Sequence, residues 1–199
     1  MKCPACKDMT LEDFELEPGL AAARCGGCGG QWVNGAGYLR WVEARGPKPP
    51  GGASAGAAEA TGSGGGDGTP AGQAVNDNRK AKLCPECGRF LTRAKVGRGL
   101  DFLLDRCGSC GGIWFDAGEW EALRARGLHD DAHFVFSDAW QADVLRRDRE
   151  AQHDRLLAQK VGEADWAEIK RVRAWLDGHP HRTALYAVLM RDVEPPPKV

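Results

Sequence analysis

No stretch of 18 consecutive apolar residues occurs in the chain, so no transmembrane helix is expected. Met1-Lys2-Cys3-Pro4 opens without the apolar run of a secretory leader, so no export signal is expected either. A formal net charge of -1 over 199 residues provides no global attraction to polyanions. Only 42% of the residues are hydrophobic, and much of the middle is Gly and Ala, which argues for small modules over one large core. A module of about 40 residues buries too little apolar surface to fold alone and needs a disulfide or a metal. Catalytic patterns are also lacking. There is no nucleophile with a partnered base and no carboxylate pair tied to a cleft. No glycine-rich loop runs from a strand into a helix to cradle a phosphate. An enzyme is not expected.

Cysteine is what the chain has. Without a leader, a reducing cytoplasmic location is expected, where paired cysteines point to metal or catalysis. The eight cysteines form two sets: Cys3-x2-Cys6-x18-Cys25-x2-Cys28 and Cys84-x2-Cys87-x19-Cys107-x2-Cys110. Both spacings suit a four-cysteine zinc site. Two residues between cysteines make a tight turn that points both sulfurs into one hemisphere, and two such turns complete a tetrahedron. Four thiolates leave no open position, so two structural zinc ions are expected and neither is catalytic. The remote alternative, a redox protein, rests on Cys3-Pro4-Ala5-Cys6 and Cys84-Pro85-Glu86-Cys87, but such chemistry needs a single pair beside a βαβ unit. Glycines flank each second pair and suit turns with positive φ that bring N–H groups toward sulfur. Arg24 and Arg106 precede those pairs and would offset the negative charge of a four-thiolate centre.

Residues 1–45 and 82–127 read as two copies of one β-rich ribbon, the second carrying one extra residue in its central loop. Cys25, Cys28 and Trp32 return as Cys107, Cys110 and Trp114. Apolar stretches supply strands: Leu11, Phe14 and Leu16 in the first copy, Phe90, Leu91, Val96, Leu100, Phe102 and Leu104 in the second. Val96-Gly97-Arg98-Gly99-Leu100 reads as a hairpin turn. Asp116 and Glu119 form an acidic capping box ahead of a helix that carries Trp120 and Leu123. Residues 46–81, rich in Gly, Ala and Pro, read as a flexible linker that lets the ribbons fold independently. Residues 128–192 read as helical, with Trp166, Ile169, Val172 and Leu176 on one face and a stop at Gly178-His179-Pro180. Residues 193–199 are a flexible tail. The fold class is thus two small metal-stabilised β modules, zinc ribbons, plus a C-terminal α-helical segment.

Cys84-Pro85-Glu86-Cys87, followed by Cys107-Gly108-Ser109-Cys110-Gly111-Gly112-Ile113-Trp114-Phe115-Asp116-Ala117-Gly118-Glu119, closely resembles the transcription factor zinc-finger family of bacterial TFIIB-type zinc ribbons. The first copy keeps both cysteine pairs, Gly29-Gly30 and Trp32. It departs at Asn34, Ala36 and Gly37, so its helix is expected to be weaker or shorter. The resemblance implies a zinc-ribbon fold and a link to transcription, but fold does not fix function.

The first functional reading is a transcription-related nucleic-acid-binding or regulatory factor, and the alternative is a zinc-stabilised adaptor that binds protein without nucleic acid. Residues 79–106 hold eight basic and three acidic residues, which suggests a basic edge at Arg93, Lys95 and Arg98 as nucleic-acid contacts. The same cations on an edge strand would also discourage sheet-to-sheet pairing. Trp32 and Trp114 suit either a base-stacking platform or, preferably, a small core beside the metal. Trp140, Trp166 and Trp175 suit the core of a helical bundle or a protein partner. His129 and His133, four apart, read as polar loop residues rather than metal ligands. Neither a membrane nor a small-molecule substrate is expected.

Overall fold

The computed structural model describes residues 1–46 and 80–191. The expected linker lies almost wholly outside the described residues, and the expected tail wholly so.

The first ribbon comprises β1 (Leu11–Glu17), β2 (Leu20–Cys25), β3 (Gln31–Val33) and α1 (Gly35–Ala44). The second comprises β4 (Leu91–Gly97), β5 (Leu100–Cys107), β6 (Ile113–Phe115) and α2 (Glu119–Ala125). A 3₁₀ turn at Phe134–Phe136 leads into α3 (Asp138–Val161), α4 (Glu163–Asp177) and α5 (Arg182–Arg191).

Both hairpins close with two-residue loops. Pro18-Gly19, with Gly19 at φ +80°, fits a type II turn, while Arg98 (+53°) and Gly99 (+82°) fit type I′. The extra residue expected in the second central loop is therefore not in the loop. Strand β5 has 8 residues where β2 has 6, and the first cysteine turn of the second ribbon is one residue shorter.

The ribbons are not independent. Their strands form one antiparallel sheet in the order β1-β2-β3-β6-β5-β4, joined at the centre where β3 pairs with β6. The register sets Trp32 opposite Trp114, with Gln31 opposite Phe115 and Val33 opposite Ile113, so a pseudo-two-fold axis passes between the tryptophans. Each indole lies across the glycine that precedes the other ribbon's central strand. A Cβ on Gly112 would sit 2.1 Å from the Trp32 ring, and one on Gly30 would sit 2.1 Å from Trp114. Within its own ribbon β3 pairs along one edge with β2, and β6 with β5. Pairing with its copy satisfies the other edge and dries both indoles.

The sheet has two buried faces. Around the cysteines pack Leu11, Ala23, Trp32 and Trp114. The opposite face merges residues of both copies into one core, among them Val33, Tyr38, Trp41, Leu104, Phe115, Trp120 and Leu123. Residues 128–145 belong to this core rather than to a separate helical region. Val135, Trp140 and Val144 are buried in it. The Trp140 Nε1–H donates to the Val96 carbonyl at 2.9 Å, Gln141 Nε2 donates to the Lys95 carbonyl at 2.9 Å, and Val144 occupies the space a side chain at Gly97 would fill. These contacts cover the outer edge of β4. The first compact unit accordingly runs Met1–Leu145, and the break falls inside α3 rather than near residue 127.

Two helix expectations are corrected. α1, at 10 residues, is longer than α2, at 7. The Asn34 side chain accepts from the Gly37 N–H at 3.0 Å, and Tyr38 and Trp41 anchor the helix in the shared core, which outweighs the missing half of the capping box. α2 starts after Gly118 (φ +86°), which stands at the N-cap in place of Asp116. The return half of the box forms: the Glu119 carboxylate accepts from the Asp116 N–H at 2.8 Å.

The second compact unit, Arg146–Val199, contains the rest of α3 with α4 and α5. Within its described residues only Ala158 and Leu176 are buried, while Leu156, Ile169, Trp175, Val188, Leu189 and Met190 are exposed. The three tryptophans do not share a bundle core: Trp140 is in the ribbon unit, Trp166 is half-buried and Trp175 exposed.

Two outcomes follow from the shared sheet. Gly112→Ala should destabilise the first unit by about 1–3 kcal/mol or more in chemical denaturation, because the added methyl group overpacks against Trp32 of the other ribbon. Cys107→Ser should disturb both ribbons, read as loss of the Trp32 indole NMR resonance together with that of Trp114. An undisturbed Trp32 would contradict the coupling.

Candidate metal centres and the buried charge network

Each four-cysteine set converges as its spacing implies. The sulfurs of Cys3, Cys6, Cys25 and Cys28 lie within 4.8 Å of one another, as do those of Cys84, Cys87, Cys107 and Cys110. A tetrahedron of Zn–S bonds of ~2.3 Å has edges of ~3.8 Å. The Cys3–Cys28 and Cys6–Cys25 sulfurs are 3.7 and 3.9 Å apart, and Cys84–Cys110 and Cys87–Cys107 are 3.6 and 3.3 Å apart. All eight cysteines are free of disulfides.

The same local turn builds all four cysteine pairs. The residue after each pair sits in the left-handed region: Lys7 (φ +65°), Gly29 (+72°), Gly88 (+70°) and Gly111 (+73°). The N–H of each donates at 2.9 Å to the carbonyl of the first cysteine of its pair. Lys7 shows that the turn demands this conformation even where glycine is missing.

The electrostatics of the donor sets call for a cation. Desolvation pushes the Cys107 thiol up, but backbone N–H groups of Cys110 and Ser109 outweigh it and hold it down at about 6. Cys25 is held at about 7 in the same way, against burial, by N–H groups of Cys28 and Gly27. Burial and the neighbouring thiols push Cys28 and Cys110 well above the usual thiol range. Four thiolates this close repel one another unless a dication sits between them. The donor chemistry and the sulfur spacing both fit zinc, held structurally at two closed sites.

Beside the second centre lies a charge network that the sequence did not reveal. Lys82 is buried, and its Nζ meets Asp105 Oδ2 at 2.6 Å and Asp116 Oδ2 at 2.9 Å. Asp105 also receives Arg93 in a fork, Nε at 2.9 Å and Nη2 at 3.2 Å. Asp116 accepts from Trp114 Nε1 at 2.7 Å. Lys82 entered the sequence reading only as one of many cations, because nothing local marks a lysine as buried. In the first ribbon the matching indole is served differently. Glu86, from the other ribbon's first cysteine turn, accepts from Trp32 Nε1 at 3.1 Å and from Asn34 Nδ2 at 2.9 Å. Burial pushes the Glu86 carboxyl up, and these hydrogen bonds outweigh it, holding the group below the usual carboxylate range.

The proposed nucleic-acid contacts each have a partner within the chain. Arg93 is tied to Asp105 and to the Lys80 carbonyl at 2.8 Å. Lys95 pairs with Asp101 at 3.4 Å, and the Arg98 guanidinium lies 3.8 Å from the centre of the Trp140 ring. Arg24 stacks on Phe14 and Arg106 faces Phe136. Trp32 and Trp114 are buried, so they serve the core reading and not the stacking platform. Phe90, read as a strand residue, lies just before β4 in an isolated bridge to Leu83 and is 74% exposed. His129 packs among Trp41 and Trp120. The metal-ligating clusters found among the described residues are the two cysteine sets.

Fold and donor sets define a pair of zinc ribbons fused through one sheet. The family model described as "Transcription factor zinc-finger", a TFIIB-type zinc ribbon, matches residues 2–44 and 83–126, so the chain carries two copies of that module. Comparison with curated proteins and with solved structures returned no match. No helix among the described residues is long and apolar enough to cross a membrane.

Removing the Lys82 ammonium takes a buried ion-pair partner from both Asp105 and Asp116. Lys82→Ala should cost about 3–5 kcal/mol of stability in urea denaturation of the zinc-loaded protein.

Proposed function

We propose that the chain is a non-enzymatic, transcription-linked regulatory adaptor whose zinc ribbons bind proteins rather than nucleic acid. The observation that carries this reading is the charge of the folded unit. Residues 1–46 and 80–145 hold fourteen Lys and Arg against sixteen Asp and Glu. Each zinc centre with four thiolates contributes about -2 more, bringing the unit to about -6. A duplex or single strand would meet net repulsion from this unit, and the candidate cations of the β4 hairpin already face acidic or aromatic partners. The exposed apolar side chains of α4 and α5 support the same reading, since helices with so little buried surface gain stability from a partner. Closed sites with four thiolates offer no position for a substrate, which supports a structural role for the metal.

Fluorescence anisotropy of zinc-loaded protein with mixed-sequence DNA and RNA across a salt series tests this. The expected result is no saturable binding even at low salt. Micromolar binding that weakens steeply with salt, and is lost in Lys95→Ala/Arg98→Ala, would overturn the proposal in favour of nucleic-acid recognition.

A further inference from the structure

The C-terminal helices carry apolar surface that their own unit leaves open. α5 is charged only at Arg182 and Arg191, its two ends, and its sequence is apolar around most of the helix circumference. A helix of that kind holds in water only when other surfaces cover it. α4 packs against it, yet Val188, Leu189 and Met190 remain exposed, Met190 by 70%. Along α4 runs an open groove of about 500 Å³, lined by Glu168, Ile169, Val172, Arg173 and Leu176 with Tyr186 of α5.

The charges of α4 are sorted along its length. Glu163, Asp165 and Glu168 occupy the first half, and Lys170, Arg171 and Arg173 follow, ahead of Asp177. Two parallel copies would set like charges abreast. An antiparallel pair sets each acidic half against a basic half, twice over, because a two-fold axis repeats every contact. The ion pairs within the helix, Glu168 with Arg171 and Arg173 with Asp177, are exposed and hold these side chains only weakly. The segments outside the described residues have little with which to cover the face. Residues 47–79 offer Val75 as their one large apolar side chain, and residues 192–199 offer Val193 and Val199.

We propose that α4 and α5 bind the same two helices of a second copy of this chain, with the two α4 helices antiparallel. The acidic half of each α4 meets the basic half of the other. Val188, Leu189 and Met190 of one copy enter the groove along α4 of the other, and the two-fold repeats the exchange. The apolar side chains supply the burial, while the sorted charges fix the direction of pairing and disfavour the parallel arrangement. Pairing gives the assembly two ribbon units, so a partner with repeated sites is held by both at once. This inference goes beyond the protein-binding reading above and does not rest on it.

Analytical ultracentrifugation of the full zinc-loaded chain tests this. At about 100 μM the mass should be twice 21.5 kDa, and it should fall toward 21.5 kDa on dilution. Two double variants each reverse one half of α4: Asp165→Lys/Glu168→Lys leaves most of its charges basic, and Lys170→Glu/Arg173→Glu leaves most of them acidic. Either alone should self-associate at least about tenfold more weakly, because like charges now meet across the two-fold. An equal mixture of the two should recover the two-copy mass, which separates lost pairing from lost folding. Val188→Glu, at an exposed position of α5, should weaken pairing by a similar factor with the helical circular dichroism unchanged. A single-copy mass at about 100 μM, a mass beyond two copies, full pairing by all three variants, or no recovery on mixing would overturn the assignment. If the chain is monomeric and the DNA and RNA titrations stay negative, the pairing falls and the protein-binding reading stands. If it pairs and those titrations turn positive, the pairing stands and the protein-binding reading falls.

Discussion

The antiparallel pairing of β3 with β6 is the constraint on which the rest of the first unit depends. Each of these strands is only three residues long, and each carries a buried tryptophan. By crossing the pseudo-two-fold axis, both indoles find a glycine that leaves room for the ring. The zinc centres then sit on either side of a common apolar layer. Each helix start also leans on the other copy's cysteine turn, with Gly35 against Cys110-Gly111 and Ala117 against Gly29. The metals fix the turns, while the shared strand pair makes one folding unit of two modules that would each be too small.

Duplication within one chain has allowed the two copies to diverge in charge while keeping their geometry. The second ribbon has drawn a lysine inward and matched it with two aspartates, a costly arrangement that holds only because every charged atom has a partner. The first ribbon has alanine and asparagine where those aspartates stand, and borrows Glu86 from its sister to satisfy its indole. The outer edges have diverged in parallel. The β4 edge is covered by Trp140, Gln141 and Val144 from the start of α3, whereas β1 bears four acidic residues. The two ends of the sheet thus offer different surfaces, one closed and one acidic.

Metal chemistry and charge together shape the functional reading. A four-thiolate zinc site adds negative charge wherever it is built, so a ribbon that meets polyanions must carry enough free cations to reverse it. Here Arg93 and Lys82 are consumed by Asp105 and Asp116, and Arg98 lies on Trp140. What is left is an acidic scaffold followed by helices that bury little of their apolar surface.

The sequence by itself determined the parts governed by short-range chemistry. Cysteine spacing fixed both metal sites, glycines and Arg98 marked the turns, and the stop at Gly178-His179-Pro180 placed the end of α4, because each depends on neighbours along the chain. The family resemblance was legible for the same reason. Only the tertiary structure decided how the copies combine. The sequence reading took the linker to uncouple them, whereas pairing across residues about 80 apart left no local mark. The burial of Lys82, the reassignment of Asp116 from helix cap to ion pair, and the docking of Trp140 on β4 were hidden likewise. In each case a long-range partner outcompeted the local role the residue would otherwise play, and a one-dimensional pattern carries no record of which partner arrives from across the fold.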